Sequence, residues 1–328
     1  SRLIPTCSNW GNYLVEVRDG AIAAVHPYDD DPNPSPIGQS LVDSLDANVR
    51  IPQTMVRAGY LEREWLGDSG KRGTEPFVPV SWREATHLAA NALRRVKAEF
   101  GNQAIYGGSY GWGSAGRFHH SQSQLHRFLN LFGGYTYSVA SYSTAAAQAI
   151  MPHVLGISFL ELVFQAPTTE DIVNNTKTML LFGGAALKNT QVNAGGLGAH
   201  TAKNQLLAMH DAGVRIVCVS PLKDDVGTDH DGMFIEPEWW PCRPNSDVAI
   251  MLGLAHTLVA EDLHDKEFLT RYTTGFERFL PYLMGETDGQ PKDADWAAAL
   301  SDIPAGDIRA MARDLASGRS ILGISWSL

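Results

Sequence analysis

Two apolar runs constrain this chain more than any other feature, one within "TKTMLLFGG" at 176–184 and one within "VRIVCVSP" at 214–221. The first ends in Gly183-Gly184 and the second in Ser220-Pro221, and the helix-like stretch "KNQLLAMHDAG" lies between them. A strand with one wet face alternates apolar and polar residues, whereas a continuous run is buried on both faces. Downstream, "SDVAIMLGLAHTLVAED" predicts a strong helix capped by Ser246 or Asp247. "DKEFLTRYTTG" and "PAGDIRAMARDLASG" predict two more, and "RSILGISW" a closing strand. Strand–helix alternation of this kind argues for a parallel sheet with helices on both faces. Ligands of such sheets lie beyond the carboxyl ends of the strands. That rule selects Gly183-Gly184 with the residues after them, Ser220-Pro221 with Lys223, and the end of the last strand at Trp326.

The first half reads differently. "NYLVEVRDGAIAAVHP" alternates on both sides of Asp19-Gly20 and predicts a hairpin with a tight turn. "YDDDPNPSPIG" is expected to be a connector without core potential. "SWREATHLAANALRRVKAEFG" predicts a helix, with Ser81 and Glu84 at capping-box spacing and Gly101 as its stop. "AIYGG" predicts a short strand, "SYGWGSAG" a glycine-rich loop and "RFHHSQSQLHRFLNLF" another helix.

Composition narrows the partners. Of 328 residues, 44% are hydrophobic and 19% charged, with net charge −10 and no long basic run, which disfavours nucleic acid and anionic membrane surfaces. No apolar stretch approaches the ~18 residues a bilayer span needs. Cys7, Cys218 and Cys242 are isolated, so they form neither a zinc ribbon nor a four-thiolate cluster by themselves. Cys218, inside an apolar strand, is expected in the core.

Glycine-rich loops after strands let backbone N–H groups approach phosphates. "GGSYGWGSAG" and "FGGAALKNT" are two such loops, the second with Lys188 as a counter-charge. Neither has Walker spacing or a clean G-x-G-x-x-G, which argues against a P-loop NTPase and simple NAD binding. Taken singly, each is more often a turn than a phosphate site. Together with Lys188 and Ser246-Asp247 they favour a large nucleotide-like ligand, and Asp247 could accept from a guanine edge or a ribose as well as cap a helix. Tyr110 and Trp112 read equally as packing anchors of their loop or as donors at the mouth of a site. Ser143, in "SYSTAAAQ", reads as a helix N-cap or as an oxygen ligand.

"GGSYGWGSAGR", "ASYSTAAAQAIMPHVLG", "SDVAIMLGLAHTL" and "IPAGDIRAMARDLASGRSILGISWS" resemble the dimethyl sulfoxide reductase family of molybdopterin enzymes. The likeness lies with the branch that reduces dimethyl sulfoxide, trimethylamine N-oxide, biotin sulfoxide and methionine sulfoxide, and it runs in order along nearly the whole chain. It implies molybdenum held by two molybdopterin guanine dinucleotides, with Ser143 as the protein's metal ligand. A hard alkoxide suits high-valent molybdenum, and the small Ala145, Ala146 and Ala147 would let the cofactor approach. It further implies that Tyr110 donates to the substrate oxygen and that Trp112 closes the pocket. Gly111 and Ser114 would lie along a pterin, Lys188, Asn189 and Thr190 along a dinucleotide, and Ser220, Asn245 and Asp247 at its guanosine. Trp326 and Ser327 would approach the other pterin.

The fold so implied is α/β: a β-rich segment over 1–55 and a mixed α/β domain with the metal-ligand block over 56–165. A doubly wound, Rossmann-like, parallel-sheet dinucleotide-binding domain follows over 166–328. The chemistry implied is oxygen-atom transfer from a small S-oxide or N-oxide, as in anaerobic respiration. Electrons would come from an external donor such as a c-type cytochrome, in a periplasmic setting or, alternatively, a cytoplasmic one. With Cys7 alone near the N-terminus, no iron–sulfur cluster is expected. Two rivals remain: a family member that transfers hydroxyl or hydrates with the same cofactor, and a degenerate or split subunit that only holds it. Reductases of this branch run to more than twice this length, so the reading expects a truncated portion lacking a C-terminal domain.

Several positions depart from the branch: Ser141 before Tyr142, Gly113 after Trp112, Ala185-Ala186 before Lys188, the order of Asn189-Thr190, "LVFQAPTTED", and Ser325 before Trp326. These changes leave the identity of the oxide open. "DDVGTDHDG" lacks the closing Glu of a calcium loop and reads as a solvated acidic loop. His119, His120 and His126 read as a helical face rather than a metal site.

Overall fold

The computed structural model describes residues 1–45, 48, 50–67, 69–109, 120–141, 143–193 and 196–325. The chain divides into two compact units, Ser1–Ser141 with Gln191–His200, and the remainder.

In the first unit, β1 (Arg2–Ser8), β2 (Gly11–Arg18) and β3 (Ala21–Pro27) form an antiparallel meander in that order. The expected turn is there. Asp19 and Gly20 both adopt left-handed φ, 51° and 81°, the pattern that matches the twist of two flanking strands. The sequence reading missed β1. Its Pro5 cannot donate to a ladder, and an edge position tolerates that.

Tyr13 fills the centre of this unit. Its ring faces Gly38, where a Cβ would stand 2.3 Å from the ring, and its hydroxyl lies 2.9 Å from the carbonyl oxygens of Trp10 and Ser35. The connector is therefore not without core potential: Asp31, Ser35 and Gly38 are all buried. The Asp31 carboxylate accepts from the backbone N–H of His200 at 2.9 Å and of Asn33 at 3.1 Å, and stands 2.6 Å from His200 Nδ1. Those partners make its burial tolerable.

β4 (Met55–Arg57) pairs with β5 (Phe77–Pro79), and α1 (Ala58–Arg63) follows β4. α2 (Trp82–Phe100) begins as expected, with Ser81 Oγ accepting from the Glu84 N–H at 3.2 Å, and stops at Gly101, φ 77°. The strand expected at "AIYGG" reduces to one bridge, Tyr106 with Thr136. α3 (Ser121–Leu131) is capped by His120, whose Nδ1 accepts from the Ser123 N–H at 3.3 Å, and His126 stacks near Tyr135. Both serve packing.

The second unit opens with α4 (Ala145–Val154), α5 (Phe159–Phe164) and α6 (Thr169–Asn175). Its sheet comprises β6 (Thr178–Phe182), β7 (Arg215–Val219), β10 (Glu238–Trp240) and β11 (Ser320–Ile324), all parallel in the order β10-β7-β6-β11. α7 (Ala202–Asp211) joins β6 to β7, and the two-residue strands β8 (Thr228–Asp229) and β9 (Gly232–Met233) precede β10. β10 was not foreseen, because three residues between Pro237 and Pro241 leave no periodicity to read. Then come α8 (Asp247–Ala260), α9 (Lys266–Tyr272), α10 (Phe276–Leu283), α11 (Ala294–Ser301) and α12 (Ala305–Ala316).

Strand residues alternate between two cores, so the sheet is wound on both sides. Leu180, Phe182, Val217 and Val219 pack with Ile250, Leu254, Ala297, Ile308 and Met311 of α8, α11 and α12. Met179, Leu181, Ile216 and Cys218 pack with Leu206 and Met209 of α7 and with Ile172 of α6. Every residue of β6 is buried, as its unbroken apolar run requires.

Candidate cofactor cleft

The strand registers place the site. Phe182 pairs with Val219 and with Ile324, and Val219 with Trp240, so the four strands end level with one another. Gly183, Ser220, Pro241 and Ser325 therefore begin four adjacent strand-end loops. The chain order of the strands reverses between β6 and β11: β7 and β10 lie to one side of β6, and β11 lies to the other. A crevice forms at such a reversal because the two loops leaving it turn in opposite directions.

The crevice is there. A cleft of about 630 Å³ is lined by Gly183, Gly184, Asn189 and Thr190 from the β6 loop, Gln205 and Met209 from α7, and Ser325 beyond β11. The volume lies in the range of small-molecule and cofactor sites. Its glycines are required. Gly183 and Gly184 have φ of 76° and 73°, and a Cβ on Gly184 would stand 2.5 Å from the Asp225 carbonyl oxygen. Only glycine combines that backbone with that approach. The loop is pinned by Gly183 N–H donating to Val219 O at 2.9 Å and Ala185 N–H donating to Asp225 O at 2.8 Å.

Of the residues expected at a dinucleotide, Asn189 and Thr190 line the cleft itself. Thr190 Oγ1 donates to Leu187 O at 2.8 Å, closing the short 3-10 turn that carries them. Lys188 and Ser220 meet at a third residue that the sequence reading passed over. Asp225 accepts from Lys188 Nζ at 3.2 Å through one carboxylate oxygen and from Ser220 Oγ through the other. Ser220 Oγ also accepts from the Leu222 N–H at 3.1 Å.

The loop "DDVGTDHDG" is accordingly not a solvated acidic loop. Asp225 and Asp229 are largely buried, Asp229 against Lys203, and Val226 is fully buried between them. An ammonium beside each carboxylate offsets its desolvation. Lys203 holds the Asp229 carboxyl below its usual range.

Asn245 and Asp247 lie apart from the cleft, where α8 follows β10. Asn245 takes left-handed φ, 66°, and Asp247 is the first helical residue. Ser246 occupies the cap position without capping: its hydroxyl donates to Arg243 O at 2.6 Å. The expected cap by Ser246 or Asp247 is thus not made.

Ser143 is an exposed residue in the turn before α4. It is not the N-cap. Thr144 holds that position, with Oγ1 accepting from Gln148 Nε2 at 2.7 Å rather than from the backbone. Tyr110, Gly111, Trp112, Ser114, Trp326 and Ser327 lie outside the described residues.

Among the described residues no cluster of His, Cys, Asp and Glu could hold a metal. Cys218 is a core thiol pushed up to about 12 by burial, and burial raises Cys242 as well. A metal carried by a cofactor needs no such cluster. The open strand-end cleft, its obligatory glycines and the exposed Ser143 fit that arrangement.

Residues 50–312 match the molybdopterin oxidoreductase family, and residues 6–46 match the molybdopterin oxidoreductase N-terminal domain. The chain is 45% identical over 304 residues to biotin sulfoxide reductase of Cereibacter sphaeroides, covering 93% of this chain and 40% of that protein. It is 41% identical over 325 residues to dimethyl sulfoxide/trimethylamine N-oxide reductase of Rhodobacter capsulatus, covering 98% and 38%. Against trimethylamine-N-oxide reductase of Haemophilus influenzae it is 36% identical over 332 residues, covering 100% and 39%. The chain thus spans about two fifths of the length of the curated relatives it matches. Acetylene hydratase from Pelobacter acetylenicus shares the fold, with a TM-score of 0.53 at 19% identity over 98% of this chain and 40% of that one. With the family match running over most of its residues and a reversal-point cleft of the kind such cofactors need, the chain belongs to the molybdopterin oxidoreductase family.

Proposed function

We propose that this chain is the cofactor-binding portion of a molybdenum-dependent reductase that removes oxygen from a small S-oxide or N-oxide. The observation that carries the reading is identity of 36–45%, along nearly all of the chain, to relatives named for reducing sulfoxides and N-oxides. The likeness to the hydratase is far weaker, 19%, and speaks for the fold alone.

In this reading the cleft takes one of two molybdopterin guanine dinucleotides. The bound centre supplies two-electron oxygen-atom transfer, the step that side chains cannot perform. The protein binds, orients and excludes. Asn189 and Thr190 would hold phosphate or ribose oxygens, and the glycine turn at Gly183-Gly184 would let those oxygens approach the backbone. Lys188 would supply positive charge, and Ser220, Asn245 and Asp247 would receive the guanosine. Ser143 would ligate the metal through Oγ, a role its exposure allows. Tyr110 would donate to the substrate oxygen beside Trp112, with Gly111, Ser114, Trp326 and Ser327 along the pterins. Electrons would arrive from an external carrier such as a c-type cytochrome in the periplasm, without an iron–sulfur relay.

Molybdenum and GMP released by acid, assayed on the intact gene product, test the cofactor. Turnover of reduced viologen against a panel of oxides tests the reaction. About two GMP per molybdenum with oxide-dependent viologen oxidation is expected. Ser143→Ala should keep the GMP and lose at least a hundredfold in turnover, a loss of about 2.7 kcal/mol of barrier lowering. Absence of both molybdenum and GMP overturns the reading. Cofactor without reductase turnover would instead favour hydration or a purely cofactor-holding subunit.

A further inference from the structure

Asp225 touches the loops after β6 and β7 through side chain and main chain alike. Its carboxylate accepts from Ser220 Oγ, after β7, and from Lys188 Nζ, after β6. Its carbonyl accepts from the Ala185 N–H at 2.8 Å, and its own Cβ stands 2.8 Å from where a Cβ of Gly184 would be. Thus three groups assigned to the dinucleotide, namely the glycine loop, Lys188 and Ser220, converge on a residue with no such assignment.

From this convergence we infer that Asp225 is a positioning residue, which presets the two loops for the guanine dinucleotide before it binds. The inference rests on the reading of the cleft given above. The Asp225 side chain is 15% exposed and Ser220 is 1% exposed, so their bond is sheltered, whereas Lys188 is 56% exposed and would otherwise sweep through solvent. Fixing Lys188 and the loop before binding removes an ordering cost from the binding step. The carboxylate also carries a charge like that of the ligand's phosphates. If it merely competed for Lys188, removing it would tighten anion binding; if it positions, removal weakens binding. The sign separates the two.

GDP, which carries the guanosine and a pyrophosphate, serves as the probe. Titration calorimetry on the chain should give about tenfold weaker binding in Asp225→Ala. In the isosteric Asp225→Asn, which keeps an acceptor for Ser220 and loses the charge facing Lys188, the loss should be smaller. Asp225→Asn and Lys188→Met should combine non-additively. Amide exchange should quicken at Ala185 and Leu222 in Asp225→Ala and stay unchanged at Leu180 and Val217, which a general loss of folding would not reproduce. Binding equal to or tighter than wild type in both Asp225 variants overturns the role given to Asp225. A wild-type chain that fails to bind GDP overturns the dinucleotide reading instead.

Discussion

At the amino-terminal edge of the parallel sheet, Asp314 accepts from Lys177 Nζ and Thr178 Oγ1, each at 2.7 Å, and from Arg215 Nη1 at 3.0 Å. Arg215 also grips Glu238 at 2.6 and 2.9 Å. At the carboxyl edge of the same strands, the loops after β6 and β11 part around an open cleft, and Asp225 holds two side chains, Lys188 and Ser220. The lower edge is closed and mutually satisfied. The upper edge is kept open by glycines in left-handed conformations and by polar groups directed at one another around empty volume. One sheet thus carries a stabilising end and a binding end, and changes at the two ends should separate into effects on folding and effects on ligand.

The sharpest break of that contrast is Gly184→Val. A β-branched residue at φ 73° is strained, and its Cβ meets the Asp225 carbonyl. We expect stability to fall by about 3 kcal/mol, read from the urea midpoint, and GDP binding to be lost. It is the one substitution at the binding end expected to affect both properties.

Asp314→Ala should lower stability by about 1–2 kcal/mol and leave GDP affinity unchanged. The figure is held down because Lys177 and Arg215 are 53% and 41% exposed and their pairing is screened. The pH dependence has a definite sign. Hydrogen bonds from Lys177, then Thr178, then Arg215 hold the Asp314 carboxyl at about 2, below its ordinary 3.8. Its contribution is complete above the unfolded value and is lost as pH falls through the folded one. The stability gap between wild type and Asp314→Asn should therefore close between about pH 4 and pH 2. A gap that persists at pH 2 would show that the carboxylate charge is not what stabilises this edge.

The smallest effect expected is that of Lys188→Met. An exposed lysine in an ion pair contributes little to folding, so stability should stay within about 0.5 kcal/mol. GDP should bind several-fold more weakly, with a shallower salt dependence. A marked loss of stability here would blur the division between the two ends.

Legibility followed chemistry that is local in sequence. The Asp19-Gly20 turn, the capped start of α2, the buried strands β6 and β7, and the closing strand β11 each carry their cause within a few residues. Edge and very short strands did not: β1 contains Pro5, and β10 is three residues between prolines. At the site, glycines after β6 announced a loop, and chain order alone suggested strand ends. Asp225 was hidden, since its partners lie 5 and 37 residues away. The connector was read as lacking core potential because the partner of its Asp31, His200, is 169 residues distant.

By itself the sequence determined the class of fold, since continuous apolar runs separated by helical periodicity can be buried only in a sheet covered on both faces. It also determined the family, through short blocks read in order along the chain. Tertiary structure alone decided the placing of the reversal between β6 and β11, the pairing of each buried carboxylate, and the identity of the serine or threonine that caps a helix. Strand order and charge pairing depend on residues far apart in sequence, and a polar side chain takes whichever partner the folded backbone brings within about 3 Å.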